Sequence, residues 1–482
     1  MIRSITLAIA LILFYAAAGQ EKWDIRKCVD YAIKNNISVR QTDLQTRFSE
    51  LTYTQSHAAR LPTLNFGSSV GYRLGRSDNP TTGVLEDNNF LNVGMQLQSQ
   101  VTLFNWFYRR NTVAANRLNW EADKEQVKKI QDDIALNVAV AYLQILLARE
   151  QVNIARVQVE QTNSLLINTQ KRVDAGALPE LSAAEMESQL ARDSSSFISA
   201  ESSVQLFLLQ MKALLNLDAA ASFDIITPPV SMIPVESLAD LQPDAVYATA
   251  MGTLPQQKVN KLRIESAQKA VAAAKATLYP SFSAFGNLNT NAISFKKAIH
   301  DQVLNGYTAS GARANVGGGV FYPIEIPRFI DGNSIVGYYR PGSLFDQFNS
   351  NFGQSIGIGL NVPIFNGRSA RTAWDRSKLT VQQWELQKEL GDMQLKQDIY
   401  KAYIDATAAI QKFNADTKAV QTAEKAYDFA NKRYALNLLS TYDLLNSQNN
   451  VLRSKIQAVY SQYDYVFKIK LLEFYRGQGL KL

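Results

Sequence analysis

The chain has 482 residues and a net charge of +7, from 50 basic and 43 acidic side chains. Its lone cysteine, Cys28, excludes an internal disulfide framework, and two histidines, His57 and His300, starve a histidine-based metal site or triad of ligands. The basic residues are scattered over helical faces, so solvated surface accounts for them better than a nucleic-acid footprint does.

Residues 1–18 read as a secretory signal. Arg3 supplies the positive start, Ile5 to Tyr15 a short apolar core, and Ala16-Ala17-Ala18 a small-residue cleavage site. That core is too short to cross a bilayer as a helix, and an uncleaved anchor is the alternative. Cys28 lies too far from the cleavage site for lipid attachment and reads as a small buried hydrophobe in an early helix. Mean hydropathy is −0.16, and no later run of about 18 uninterrupted apolar residues exists, so membrane contact falls to strands or surface.

Trp23 to about Ala59 has helical spacing (Ile25, Val29, Ala32, Ile33) and ends before Pro62, because a residue preceding proline is pushed out of the α region. A strand follows, with Leu64, Phe66, Ser68, Val70, Tyr72 and Leu74 on one face. A polar loop runs from Ser77 to Asn89. In a second strand Val93, Met95, Leu97, Val101 and Leu103 point one way. Each strand is long enough to cross a hydrocarbon core when tilted, and Phe104, Trp106-Phe107-Tyr108 and Arg109-Arg110 suit a membrane–water boundary. From about Asn111 to Asp174 the pattern is helical and carries two apolar stripes, one through Ile134, Val138, Ala141 and Ile145, the other through Leu136, Val140, Leu143 and Leu147. Two stripes require two neighbours. A helix of this length would extend about 100 Å, so the molecule is expected to be elongated. Gly176, suited to a left-handed cap, ends it, and Pro179 starts a returning helix to about Leu217.

The pattern then recurs. Phe104-Asn105, Ala141-Tyr142 and Lys171-Arg172 return 261 residues later as Phe365-Asn366, Ala402-Tyr403 and Lys432-Arg433, whereas Pro62 returns 218 residues later as Pro280. The difference is 43 extra residues within 287–352, read as a long loop with Gly317-Gly318-Gly319, Tyr338-Tyr339 and Pro341-Gly342. Strands are expected over Phe282–Leu288 and Ile356–Ile364, and a returning helix, capped by Ser440 after Asn437, to about Tyr475. The divisions are then a signal (1–18), a first repeat (19–217), a proline-rich linker with a possible short strand at Phe223–Ile226 (218–243), a second repeat with the insertion (244–475) and a tail (476–482).

The expected fold is mainly α with a small β part. Four strands leave two open edges, and in lipid each unpaired backbone group costs several kcal/mol. Identical chains must therefore close the sheet by cyclic symmetry, two giving eight strands and three giving twelve.

The chain resembles the TolC-type outer-membrane efflux channels over its whole mature length. The resemblance rests on the doubled helix-strand-strand-helix-helix order, on Trp23-Asp24-Ile25-Arg26-Lys27-Cys28-Val29, on Phe365-Asn366-Gly367-Arg368 and on the run from Arg433 to Leu445. It implies a homotrimer with a twelve-stranded outer-membrane β-barrel continuous with a periplasmic α-barrel of long antiparallel coiled-coil helices. It also implies a periplasmic adaptor (membrane fusion protein) docked at the helix tips and an inner-membrane pump of RND or ABC type, as in efflux and type I secretion. By that resemblance Arg172, Val173, Gly176 and Leu178, with Arg433, Tyr434, Asn437 and Leu438, form the docking tips. Asp443 and Asn446 fall where the family narrows its pore with acidic side chains, the asparagine halving the charge. Asp443 also suits a capping box begun by Ser440. Gly67-Ser68-Ser69-Val70-Gly71 fits a hydrolase elbow but lies within a strand, without its partners. No catalytic site, cofactor, metal or nucleic acid is expected. A passive export duct is the reading; a coiled-coil envelope protein or an uptake porin is the alternative.

Overall fold

The computed structural model describes residues 22–78, 85–87, 89–228, 233, 236–294, 296–340 and 342–477. The signal segment and most of the tail lie outside the described residues. The chain forms two units. One holds the residues up to Gln55, Asn111–Ala272 and the residues from Ala373; the other holds Ser56–Arg110 and Ala273–Thr372.

The helical unit repeats itself residue for residue. Helix α1 (Ile25–Asn35) and α2 (Ile37–Ala58) replace the single helix expected from Trp23. Asp24 caps α1 by accepting from the Lys27 N–H at 2.7 Å. Asn36 then leaves the helical region (φ −61°, ψ 133°) and its carbonyl oxygen Oδ1 accepts from the Ser38 N–H (2.9 Å), which starts α2. The second repeat breaks 218 residues later, at Leu254 between α5 (Pro243–Thr253) and α6 (Pro255–Ala276). There Pro255 imposes the break on its predecessor. One kink is made by a capping side chain and the other by a proline, so the periodicity of the first copy does not reveal it.

The long helices α3 (Tyr108–Asp174) and α8 (Ser369–Ala435) have 67 residues each. They return as α4 (Glu180–Leu215) and α9 (Thr441–Tyr475). Pro179 occupies the cap position of α4 rather than its first turn. The two cores correspond as well. Cys28, Ala32, Val138, Ala141, Ile145, Leu208 and Met211 form one cluster, and their repeat equivalents Val246, Ala250, Ile399, Ala402, Ala406, Ile469 and Leu472 form the other. Burial pushes the Cys28 thiol up to about 12, with the Asp24 charge adding to it, so the thiol stays protonated and inert. Of the stripes on α3, the one through Ile134, Val138, Ala141 and Ile145 is buried within the protomer, while in the other Leu136, Val140 and Leu147 stay half-exposed and Leu143 is buried. Over 18 residues α3 is long and apolar enough to span a bilayer by length and composition, and 44% of that window is buried inside the protein.

The linker is pinned to the start of the chain. Trp23 bridges Ile225 in parallel, its N–H donating to Asp224 O (3.0 Å) and its carbonyl accepting from Ile226 N–H (2.9 Å). The expected strand is thus a single bridge. Arg149 pairs with Asp224 and donates to Ile225 O (2.9 Å), and Tyr142 Oη donates to Ile226 O (2.6 Å). Partial burial works to raise the Asp224 pKa, but bonds from Arg149, the Ile225 N–H and Lys22 outweigh it and hold the carboxyl below its ordinary value. A depressed acid contributes stability that is full above its unfolded pKa of about 3.9 and is lost as pH falls through the folded value. Asp224→Asn is therefore expected to lower the melting temperature at pH 7, with the difference from wild type shrinking below about pH 4. A difference that persists unchanged at pH 3 would contradict the assignment.

The second unit is β-rich. Strands β1 (Thr63–Arg73) and β4 (Phe90–Phe104) pair antiparallel, β4 pairs with β5 (Ser281–Ser294), and β5 with β8 (Gly353–Asn361), in the order β1-β4-β5-β8. The polar loop holds a short pair, β2 (Arg76–Asp78) and β3 (Leu85–Asp87). The insertion is no loop: β6 (Lys297–Asn315) and β7 (Phe321–Tyr339) form a ribbon of two 19-residue strands that turns at Gly317-Gly318-Gly319, all with positive φ. Its register shifts at several points, and those bulges break the strict alternation that a sequence reading depends on.

Helix α7 (Leu344–Ser350) then covers the part of β5 that the shorter β8 does not reach. Gln347 imitates a strand there, its Oε1 accepting from the Ile293 N–H and its Nε2 donating to Ile293 O, both at 2.9 Å. Gly357 lies opposite Phe285 because a Cβ would come within 2.6 Å of the ring. After β4, Trp106 and Phe107 take left-handed φ values of 52° and 63°, where the second repeat has Gly367 and Arg368 at 61° and 63°. Such a conformation costs a non-glycine residue roughly 1–3 kcal/mol. Contacts of Trp106 with Tyr279 (5.0 Å) and of Phe107 with Phe104 (5.7 Å) offset it.

Candidate functional site: the helical tips

The two hairpins of the helical unit end in turns of the same construction. Gly176 (φ 71°) follows α3 and Asn437 (φ 57°) follows α8. In the first turn the Ala177 N–H donates to Arg172 O and the Gly176 N–H to Val173 O, both at 2.8 Å. In the second, the Leu438 N–H donates to Arg433 O (2.9 Å) and the Asn437 N–H to Tyr434 O (3.0 Å). This double bond satisfies the last carbonyls of each helix and requires a left-handed residue, which glycine and asparagine tolerate best.

The turns are joined through Tyr434. Its ring is 5% exposed and packs with Met186, Leu444 and Leu445, with Leu178 and Leu439 against them. Its hydroxyl shares a 2.9 Å hydrogen bond with Thr169 Oγ1, and Arg172 Nη1 donates to its backbone carbonyl (3.3 Å). The Arg172 guanidinium also stacks 5.0 Å from the ring. Tyr434 therefore faces inward within the protomer, a correction to its expected place on the docking surface. An aromatic with a buried hydrogen-bond partner gains more from the core than from water. Arg433, Asn437 and Leu438 remain exposed, whereas Arg172, Val173 and Leu178 are half-buried.

Asp443 closes the capping box. Ser440 Oγ accepts from the Asp443 N–H (3.1 Å) and donates to Asp443 Oδ2 (2.7 Å), so the carboxylate sits over the first turn of α9. Both Asp443 and Asn446 are exposed. Asn446 lines a groove between α4 and α9 together with Glu185. Glu185 precedes Asn446 by the 261-residue repeat offset, so the carboxylate absent from the second repeat is present in the first. Applying the offset to each site residue would have identified it from sequence. Thr169 could not have been found that way, since its partner depends on how the hairpins pack.

The tips hold and stack the two hairpins against each other. Among the described residues no group of three or more His, Cys, Asp or Glu side chains is placed to hold a metal ion. The model for "Outer membrane efflux protein" matches residues 28–217. The outer membrane efflux protein BepC of Brucella suis is 21% identical over 437 residues, covering 90% of this chain and 81% of BepC. In fold, the chain is similar to CusC (TM-score 0.74, 16% identity, 95% and 93% of the two chains). It is also similar to the outer membrane protein VceC of Vibrio cholerae (TM-score 0.71, 17% identity, 95% and 97%). A mostly helical protomer of this fold is neither an uptake porin nor a simple coiled coil. Residues 28–217 thus match the outer membrane efflux protein family, and the chain as a whole shares the fold of CusC and VceC.

Proposed function

We propose that the protein is an outer-membrane efflux channel that works as a homotrimer, a passive duct across the outer membrane and periplasm that opens at its helical tips. The observation that carries this reading is the pair of free sheet edges. Strand β1 pairs only with β4, and β8 only with β5, among the described residues. Both edge strands expose large apolar side chains: Leu64, Phe66 and Val70 on β1, and Ile356, Ile358 and Leu360 on β8. An open edge has no solvent to satisfy it in lipid, so β1 of one protomer pairs with β8 of the next, and three protomers supply twelve strands. The half-exposed stripe on α3 supports the same arrangement, since it is left for a helix of the neighbouring copy.

The periplasmic partner is an adaptor that joins the channel to an inner-membrane pump of RND or ABC type. It docks on Arg172, Val173, Gly176, Leu178, Arg433, Asn437 and Leu438 at the tips. Asp443 and Asn446 line the narrowest part of the pore. No bond is made or broken: engagement separates the hairpins, and solute diffuses through. The mass of the detergent-solubilised protein, measured by light scattering, is expected to be three times that of the protomer, and a folded monomer would refute the closure. In planar bilayers Asp443→Ala is expected to raise conductance or weaken cation preference. If neither changes, Asp443 is a helix cap alone.

A further inference from the structure

The two repeats place an arginine at one and the same position of each returning helix: Arg192 on α4 and, 261 residues on, Arg453 on α9. Both are exposed. Arg192 lines the tip groove, where Glu185, Ser188 and Arg192 of α4 face Tyr442, Asn446 and Asn449 of α9. From Glu185 to Arg192 is seven residues, a rise of about 10 Å along the helix. The groove therefore has an acidic level near the tip and a basic level further in.

The guanidinium of Arg192 is held in place by neutral groups. Its Nη1 donates to Ser188 Oγ (2.7 Å), and its Nη2 (2.8 Å) and Nε (3.3 Å) donate to Gln189 Oε1. Gln189 is 4% exposed, and its own orientation is set from below. Its Nε2 donates to Asp193 Oδ1 (2.7 Å) and Asn449 Oδ1 (3.1 Å), so Oε1 is turned toward the arginine. Asp193, also 4% exposed, accepts at Oδ2 from Thr162 Oγ1 (2.7 Å) and Gln158 Nε2 (3.4 Å). This buried polar layer spans three helices and ends at a guanidinium. Within the protomer, among the described residues, neither Arg192 nor Arg453 has a carboxylate within ion-pair distance, and Arg453 makes no hydrogen bond. Their charge is not neutralised locally, and free N–H donors remain.

We infer that Arg192 and Arg453 form a basic ring in the lumen of the assembled channel, a level beyond the tip constriction, that draws in and transiently binds solutes bearing carboxylate or phosphate groups. This rests on the reading that Asn446 and its groove face the pore. Each protomer contributes two arginines at alternating helices, so the ring is continuous around a trimer. The guanidinium fork suits planar or tetrahedral oxyanions. A ring of like charge in a narrow passage produces a potential of several kT, enough to set ion preference.

The test compares trimers of wild type, Arg192→Gln/Arg453→Gln and Arg192→Lys/Arg453→Lys in planar bilayers under a potassium chloride gradient, with inorganic pyrophosphate added on the tip side. The glutamine pair is expected to lower the chloride-to-potassium permeability ratio by about threefold or more. It is expected to weaken pyrophosphate block by about tenfold. The lysine pair keeps the permeability ratio but loses part of the block. If the glutamine pair fails to assemble, Arg453→Gln, which breaks no bond within the protomer, shows the same change at smaller amplitude. Unchanged permeability and block in the glutamine variants overturn the ring. Asp443→Asn is measured alongside: if it alters selectivity while the arginine variants do not, only the ring fails; if all are silent, the tip-constriction reading fails with it.

Discussion

Tyr434→Ala is expected to leave the channel leaky at its periplasmic end. At this side chain apolar packing, a hydrogen bond and a cation–π contact together join the first hairpin to the second. Truncating a buried aromatic of this size costs about 3–5 kcal/mol. The loss is local, because the long helices above the tips have cores of their own. Tyr434→Phe removes only the bond to Thr169, which is 1% exposed, and leaves that hydroxyl without its partner at a cost of about 1–3 kcal/mol. The two substitutions should therefore raise single-channel conductance in graded fashion, alanine well above phenylalanine. Cells that depend on the variants should become sensitive to large antibiotics in the same order. Wild-type conductance for Tyr434→Ala in a correctly assembled trimer would show that the tip does not limit flow. A double-mutant cycle of Tyr434→Phe with Thr169→Val separates the bond from the packing, since residues that share it should be strongly non-additive.

Arg263→Ala should produce a large loss of stability in the helical unit. Asp123 of α3 is 6% exposed and pairs with Arg263 of α6, which also donates to Asn119 Oδ1 at 3.0 Å. Ser49 of α2 donates to the other oxygen of the same carboxylate, and Thr46 Oγ1 donates to the Asp123 backbone carbonyl (3.2 Å). One carboxylate thus holds α2, α3 and α6 together, across the two repeats. Removing the arginine leaves a buried charge with a single neutral donor, which costs about 3–5 kcal/mol. Replacing both partners by apolar residues of similar size, Asp123→Leu with Arg263→Met, should recover most of that loss. Because many membrane proteins unfold irreversibly, the appropriate measurement is the rate of thermal inactivation of the solubilised protein. If the single variant inactivates no faster than wild type, the ion pair is not what holds the three helices.

Much of this architecture was legible in the chain because its signals are local or repeated. Left-handed caps at Gly176 and Asn437, the Ser440 cap, and alternating strands after Pro62 and Pro280 depend on a few adjacent residues. Duplication then gave each signal a second, independent statement, 218 residues on before the insertion and 261 after it. The resemblance to a known family rested on those same segments.

What the chain alone determined was therefore its doubling, the order of its long helices and of the four strands of the sheet, and the turns at the tips. Backbone conformation over a few residues and the period of apolar side chains dictate all of these. Only the tertiary structure decided that Asn36 breaks the first helix, through its bond to Leu214 O at 2.9 Å, and that Tyr434 turns inward to Thr169. It alone made a ribbon of the insertion, and brought Arg192, Gln189 and Asn449 into one groove. The outcomes in the helical unit depend on contacts between residues far apart in the chain, 178 and 265 positions for the first two, whereas register shifts hid the ribbon. No local pattern encodes such a contact, because its energy exists only once the helices have packed.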